Sequence, residues 1–503
     1  MNQYDVIVVG AGNGGLTAAT TLAKAGLRTI VFEKHNLPGG CATSFVRGRF
    51  EFEAALHELC NRATSDKQDS VDKIFERLGV DVGLLYEENL FRAIVKGEDG
   101  YDVTIRPGYE GFLDSMEEAV PGCRESVRQF IDLIGELDAA QDYIDESGIR
   151  PLTLYTKFGD FMRVAAHSVN EIMDVLEIPK KAQHILGTYW GYLGVPTDDL
   201  NALHYISLLA AFVKTPPSMP FHRSHELSLA MVKALQSYGG EIRYNSEVTR
   251  FLFNKKGEAT GVIVNGRIYY AKKIISNIIP NNVFNRMKND VIPASAKKLA
   301  NARKFGMTFV TVYLGLDCTM EELGINDYSL FISAEADTRK QFDRRQDFGM
   351  YVVNCLNKAI PDASPAGTSM LFFTIPYMPG DFPEDLKPQD YKAFKNAVAE
   401  KYIRDYEQTL GINVMDHIEE IVVATPATFA RYLATPEGAI YGYSSETWDN
   451  VVGRTALIDL ENKIPNLHFC GGHAARGDGY PSAYITGAMA AKAVLSELGR
   501  EEA

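Results

Sequence analysis

The sequence predicts an α/β fold: a parallel-sheet unit assembled from separated stretches of chain, joined to a second region of mixed sheet and helices. Three observations predict it. A strand–turn–helix–strand pattern opens the chain over Asp5 to Phe32. Strand and helix patterns alternate between about 220 and 300. Near Leu467 a short apolar strand runs into a glycine turn and a helix of small residues.

Length and composition fit that picture. A chain of 503 residues buries a large core and divides into two or more structural units. With 46% hydrophobic and 23% charged residues it is an ordinary folded protein. Acidic residues number 65 against 51 basic ones, giving a net charge of −14, which argues against nucleic acid as a partner. The cysteines Cys41, Cys60, Cys123, Cys318, Cys355 and Cys470 are widely spaced, with no CxxC and no metal-ligand spacing. No metal is therefore expected, and a reducing cytoplasm fits best. The first apolar stretch, Val6 to Val9, is too short for an export signal. The longest, Tyr205 to Val213, falls well below the roughly 20 residues of a membrane span. Peripheral contact with a membrane stays open as an addition to the cytoplasmic reading.

The opening elements carry the strongest signal. Asp5 to Val9 reads as a buried strand, followed by Gly10-Ala11-Gly12-Asn13-Gly14-Gly15 and a helix through Lys24 and Ala25 that Gly26 stops. Thr29 to Phe32 forms a second strand ending at Glu33 and Lys34. This is a Rossmann-like βαβ unit with a GxGxxG turn in its proper context. Gly10 permits the tight turn, Gly12 lets backbone approach a pyrophosphate, and Gly15 allows close packing of helix on strand. Free N–H groups at the helix start, at Asn13 and Gly14, face the anion, and Glu33 accepts from ribose hydroxyls. FAD and NAD are read alike by such a unit, so the choice rests on residues elsewhere.

Those residues are Pro38-Gly39-Gly40-Cys41, just after the second strand, and Asn466 to Gly472 with Gly477-Asp478-Gly479-Tyr480-Pro481-Ser482-Ala483 near the other end. They resemble flavoproteins in which a Gly-Gly pair runs along FAD and a late strand and helix return to the flavin. The resemblance implies FAD contacts at Gly39, Gly40, Cys41, Gly471, Gly472, Asp478, Pro481 and Ala483. Gly48-Arg49-Phe50-Glu51-Phe52-Glu53-Ala54-Ala55-Leu56-His57 resembles the G-F-x-F-D-x-G-x-H segment of the phytoene desaturase, carotenoid isomerase and retinol saturase superfamily. Glu53 stands where that pattern has Asp, and Ala55 where it has Gly. Trp190 to Gly194, the stretch from Gly239 to Asn277, and Gly438 to Gly442 match the same superfamily in order. Two departures bear on substrate: Phe221 to Glu226 replaces a Pro-x-Gly-Gly turn before a helix, and His473 replaces an acidic or amide residue.

The resemblance implies a discontinuous FAD-binding domain over 1–66, 220–300 and 455–503, with Val248 backbone near the adenine. Within it, Glu226 to Tyr238 reads as a helix, and Glu247 to Phe253, Ala259 to Val264 and Lys272 to Ser276 as strands. The substrate-binding and lid region then covers 67–219 and 301–454. Gly108 to Phe221 reads as helical, and Val127, Phe130, Ile131, Ile134 and Leu137 mark one amphipathic helix. Phe309 to Leu316 and Ser369 to Ile375 read as strands and Tyr391 to Leu410 as a helix.

The resemblance further implies an FAD-dependent oxidoreductase that desaturates, saturates or isomerises carbon–carbon bonds of a polyene, isoprenoid or other lipid-like substrate. Hydride transfer belongs to the flavin, so no catalytic triad is expected. His57, His473 and Tyr480 are the candidate catalytic residues. Each has a blander reading: His57 orients a loop, and the other two contact FAD. Glu58 is a weaker candidate than His57. Cys41 and Cys470 suit small-residue packing better than thiol redox or flavin attachment. Arg476 and Asp478 bond either the cofactor or each other. The aromatic and apolar residues from Tyr189 to Val213 and Pro216 to Phe221 suit an apolar substrate tunnel, a lipid-dipping surface or plain core. Two other functions stay in view, an amine-oxidase-like enzyme on a smaller substrate and a flavin-free prenyl-lipid escort of the same fold. The electron donor or acceptor and the oligomeric state are not specified by the sequence.

Overall fold

A computed structural model describes residues 3–60, 70–97, 100–148, 150–287, 291–449, 453–454, 464–474, 477 and 479–501. Strand β1 (Gln3–Val9), helix α1 (Asn13–Lys24) and strand β2 (Thr29–Phe32) form the opening βαβ unit. β1 lies parallel to β2 on one side and to strand Arg267–Ser276 on the other. Glu241–Arg243 and Leu467–Phe469 extend the parallel run at its two ends. Antiparallel strands Val248–Phe253 and Ala259–Val264 complete a seven-stranded sheet.

Burial explains why the central strands are continuous apolar runs. Val6 and Val8 point into one core with Leu16 and Leu22 of α1. Ile7 and Val9 point into another, with Val283, Phe284 and Ala296. Alternate residues thus serve opposite faces, and both faces are covered. On the α1 side the Arg223–Ser237 and Gly479–Glu497 helices pack against α1 itself.

A second seven-stranded sheet runs in the order Ile418–Ala424, Thr308–Leu316, Ser369–Tyr377, Tyr351–Cys355, Ser329–Ser333, Phe91–Val95, Tyr101–Ile105. It is mixed, since Ser329–Ser333 pairs parallel to Phe91–Val95 while its other side is antiparallel. One face carries the Pro388–Leu410 helix through Ala399, Tyr402, Ile403 and Tyr406. The other face presents Thr311, Phe372 and Thr374 to the interior cavity. Between 109 and 214 the chain is helical and builds its own core around Tyr189, Trp190 and Tyr205.

Several element boundaries differ from the sequence expectation. The single helix expected through Leu137 is two, Arg124–Asp132 and Ile134–Ser147, meeting at Leu133. Both bury the expected apolar side, so the period survives while the helix is interrupted next to Gly135, a weak helix former. The strand expected from Lys272 begins at Arg267, because its first half pairs with Ala259–Val264 in a half-exposed ribbon. The helix expected from Glu226 begins at Arg223. The helical stretch ends before Ser218–Pro220, a strand paired with Leu84–Tyr86.

Candidate active site

A cavity of about 1200 Å³ runs from the glycine turn to the inner face of the second sheet. That exceeds the roughly 300–1000 Å³ of most ligand pockets and suits a large cofactor together with a substrate.

Its first end is built from backbone. Gly10, Gly12, Asn13 and Gly14 line the cavity where α1 begins. Gly12 is the N-cap and offers no side-chain acceptor, so the first N–H groups of α1 are left for a ligand, and no acidic residue stands in the first turn. Gly15 does not line the cavity; a Cβ there would lie 2.1 Å from the Gly10 carbonyl oxygen, which is the close packing expected of it. Gly39 has φ +113° and would place a Cβ 2.0 Å from the Ala42 carbonyl, so this turn also requires glycine. Gly40 and Cys41 continue the wall, as do Gly471, Gly472, Pro481 and Ala483 from the far end of the chain.

Glu33 follows β2 and faces the cavity beside Lys34 and Val248. Its carboxylate also accepts from Ala11 N at 2.7 Å and His35 N at 2.8 Å. It therefore braces the glycine turn, a second task that the sequence reading missed. Burial lowers the Lys34 pKa. Asp478, and Arg476 with it, lies outside the described residues. Asn13 Oδ1 and His473 Nε2 are buried along this wall without a hydrogen-bond partner, and Tyr480 OH is buried there beside Ser224. Buried polar atoms are normally satisfied, so these orphans fit a polar cofactor such as FAD.

The second end is built from side chains. His57 lies on the cavity wall with Nε2 2.9 Å from Thr374 Oγ1, and its ring packs against Tyr192 and Phe372. Tyr328 donates to its carbonyl. Burial lowers the His57 pKa to about 4, so the imidazole is neutral at pH 7. His473 is lowered to about 3 by burial and by the Arg303 and Arg454 charges. Burial drives the Tyr480 hydroxyl well above its ordinary value. The three candidate catalytic residues thus share one cavity.

Glu53, which stands in place of Asp, meets the Phe221 to Glu226 departure directly. Glu53 is buried and accepts from Ser224 N at 2.8 Å, Ser224 Oγ at 2.7 Å, Leu56 N at 2.9 Å and Ala55 N at 3.1 Å. Burial raises its pKa against those bonds. Arg223, just before Ser224, sits at φ +66°, so the left-handed turn persists without glycine. Its guanidinium is buried and donates to the Ala363 carbonyl, which offsets the strained backbone.

The thiols are inert at neutral pH. Burial, with a smaller push from Glu53, raises Cys41 to about 12, and burial raises Cys470 as well. One grouping escaped the sequence reading: Asp317, Cys318 and His417 bring their ligand atoms within 4.8 Å of one another. His417 and Asp317 form a largely exposed pair there, away from the cavity.

Comparison with known families decides the broader assignment. The flavin-containing amine oxidoreductase model matches residues 14–495. The chain belongs to that family. It is an FAD-dependent oxidoreductase, and the phytoene desaturase, carotenoid isomerase and retinol saturase resemblance holds. All-trans-retinol 13,14-reductase of Danio rerio is 25% identical, covering 93% of this chain and 82% of that protein. Prolycopene isomerase 2 of an Oncidium hybrid cultivar is 23% identical, covering 99% and 85%. Among solved structures, an oxidoreductase from Methanosarcina mazei superposes with a TM-score of 0.66 at 16% identity, covering 98% of this chain and 100% of that one. Putrescine oxidase bound to putrescine gives a TM-score of 0.65 at 16% identity, covering 99% of both chains. These superpositions establish the fold.

Sequence reasoning missed Thr374, Phe372, Thr311 and Asn277 as members of the site. Asn277 follows the Arg267–Ser276 strand, and its side chain lies against Gly12, Gly14 and Gly471. The available signal was its place at the carboxyl end of a parallel strand, where ligands of open α/β sheets bind.

Proposed function

We propose that this oxidoreductase acts on carbon–carbon double bonds of a polyene, isoprenoid or similar lipid-like substrate. The observation that carries the reading is the wall beyond the glycine end. Tyr192, Leu193, Leu203, Leu208, Phe212 and Phe372 line one cavity with the cofactor-fitting residues. Residues 1–66, 220–300 and 455–503 would form the FAD-binding part, and 67–219 with 301–454 the substrate side.

FAD would supply hydride chemistry at its ring. The chain's own contribution is arrangement. The α1 N-terminus, Gly39, Gly40, Gly471 and Gly472 would hold the cofactor, with Glu33 at the ribose and Val248 near the adenine. Neutral His57, fixed by Thr374, would orient the loop beside the reacting carbons. His473 would satisfy its orphan polar atom on the cofactor, which Tyr480 would also contact. The apolar wall would keep water from the hydride.

No described helix is long and apolar enough to cross a membrane. The free cysteines are in keeping with a reducing cytoplasm, where a membrane-peripheral position would give access to lipid. The electron partner is a reductant or oxidant external to this chain.

The test is anaerobic reduction of the purified flavoprotein followed by challenge with a retinoid, a carotenoid and an unsaturated fatty acid. Return of the oxidised flavin bands with a polyene supports the reading. A chain that is reduced by putrescine or another amine, and is untouched by polyenes, overturns it. Absence of flavin after reconstitution would move the escort function to the front.

A further inference from the structure

Glu58, next to His57, lies on the cavity wall yet is only 8% exposed. Tyr189 OH donates to its Oε2 at 3.3 Å, and the Ser329 and Tyr192 hydroxyls also stand against the carboxyl. Glu87 is likewise 8% exposed, and neither of its carboxyl oxygens has a hydrogen-bond partner. It follows the Leu84–Tyr86 strand, and its N–H donates to the Pro217 carbonyl. Burial raises the Glu87 carboxyl well above the ordinary carboxylate range, and the Glu58 charge raises it further. Around them stand Tyr189 and Tyr192 from the Thr188–Gly194 turn, Tyr328 and Ser329 from the second sheet, and His57 and Cys60 on the same segment. Among the described residues, no lysine or arginine contributes to either carboxyl. Two buried carboxyls with no cation beside them are not both ionised at neutral pH.

We propose that Glu58 and Glu87 form a proton-holding carboxyl pair, and that the Glu58 O–H on the cavity wall is the acid that protonates the substrate during reduction of a double bond. This rests on the polyene reading above. The other groups at this end do not fill the role at neutral pH. His57 and His473 are neutral imidazoles there, without the acidic second proton, and the buried tyrosines hold theirs too tightly. Burial instead raises Glu58 to about 8, against the pull of the Ser329, Tyr189 and Tyr192 hydroxyls. Such a group is both protonated and able to donate at pH 7.

The step balances. Saturating one C=C consumes a hydride and a proton. The hydride, with its two electrons, comes from the reduced flavin. The proton comes from Glu58, whose O–H bond breaks as a C–H bond forms on the adjacent carbon. The resulting carboxylate regains a proton from solvent before the next turnover.

The test begins with infrared spectroscopy of the oxidised holoenzyme in H₂O and D₂O, without substrate. A protonated-carboxyl band is expected at pH 7, fading as pH rises through about 8. Glu58→Gln should remove the component that titrates there, while the Glu87 carboxyl, kept protonated by its own burial, retains its band; Glu87→Gln should remove that second component and leave the first. With whichever polyene reoxidises the reduced flavin, Glu58→Gln should lower kcat by about 100-fold, the low end of what a general acid contributes, at little change in KM. Solvent deuterium should enter the product at one carbon. Polyene turnover in a wild-type protein lacking the band overturns the carboxyl pair and the Glu58 protonation step, and leaves the polyene function standing. A band that titrates as expected without any polyene turnover overturns the function and the protonation step. If Glu58→Gln does not fold, the wild-type band and its pH midpoint decide the matter.

Discussion

The two ends of the cavity are made by different means. At the glycine end the ligand-facing surface is mostly main chain, shaped by Gly10, Gly12, Gly14, Gly39 and Gly40. At the sheet end it is mostly side chain, and His57 and Glu58 are held by burial in their uncharged forms at neutral pH. The first end binds through geometry. The second stores chemical potential in groups kept from their preferred charge. Changes at the first should therefore act through fit, and changes at the second through pH.

The largest effect should come from fit. Gly15→Val would press a side chain into the Gly10 carbonyl 2.1 Å from its Cβ, so flavin absorbance per mole of purified protein should fall to background. Retention of flavin would break the comparison. Next, Glu53→Ala would strand four donors around a buried site, and thermal or denaturant unfolding should show a loss of about 3 kcal/mol.

The pH effects sharpen the contrast. His57 is lowered to about 4 from 6.5, so its stabilising contribution is present above pH 6.5 and is lost as pH falls through 4. Glu58 is raised to about 8 from 4.5, so its contribution is full below pH 4.5 and is lost as pH rises through 8. Melting temperature should fall on both sides, with His57→Gln flattening the acid limb and Glu58→Gln the alkaline one. The smallest change is Thr374→Val, which removes the partner of His57 Nε2 and should cost about 1 kcal/mol in unfolding measurements while leaving flavin content intact.

The same division governs what the sequence discloses. The βαβ unit is legible because strand, glycine turn and acid are close in sequence, and β2 spans Thr29–Phe32 as expected. The Gly39-Gly40 and Gly471-Gly472 turns are legible as paired glycines beside strands, and at Gly39, Gly40 and Gly471 the positive φ favours glycine. Thr374, Phe372 and Glu87 are not, since each sits on a strand or at a strand end that reads as ordinary core or surface. Only the pairing of Ser369–Tyr377 within the second sheet carries Phe372 and Thr374 to His57. The helix break at Leu133 was hidden for another reason: apolar period reports which side is buried, not whether the hydrogen-bond ladder is continuous.

The parallel sheet has one consequence for how the protein is made. Leu467–Phe469 must pair with Ile274–Ser276, and the Gly479–Glu497 helix must cover α1, before the glycine end has its second wall. At about 5–20 residues per second, a ribosome takes tens of seconds to travel from α1 to those partners. Throughout that interval α1 presents Leu16, Ala19 and Leu22, fully buried at the end, to whatever the nascent chain meets. Cofactor capture is thus a late event in biogenesis, because the wall formed by Gly471 and Gly472 is the last to be synthesised.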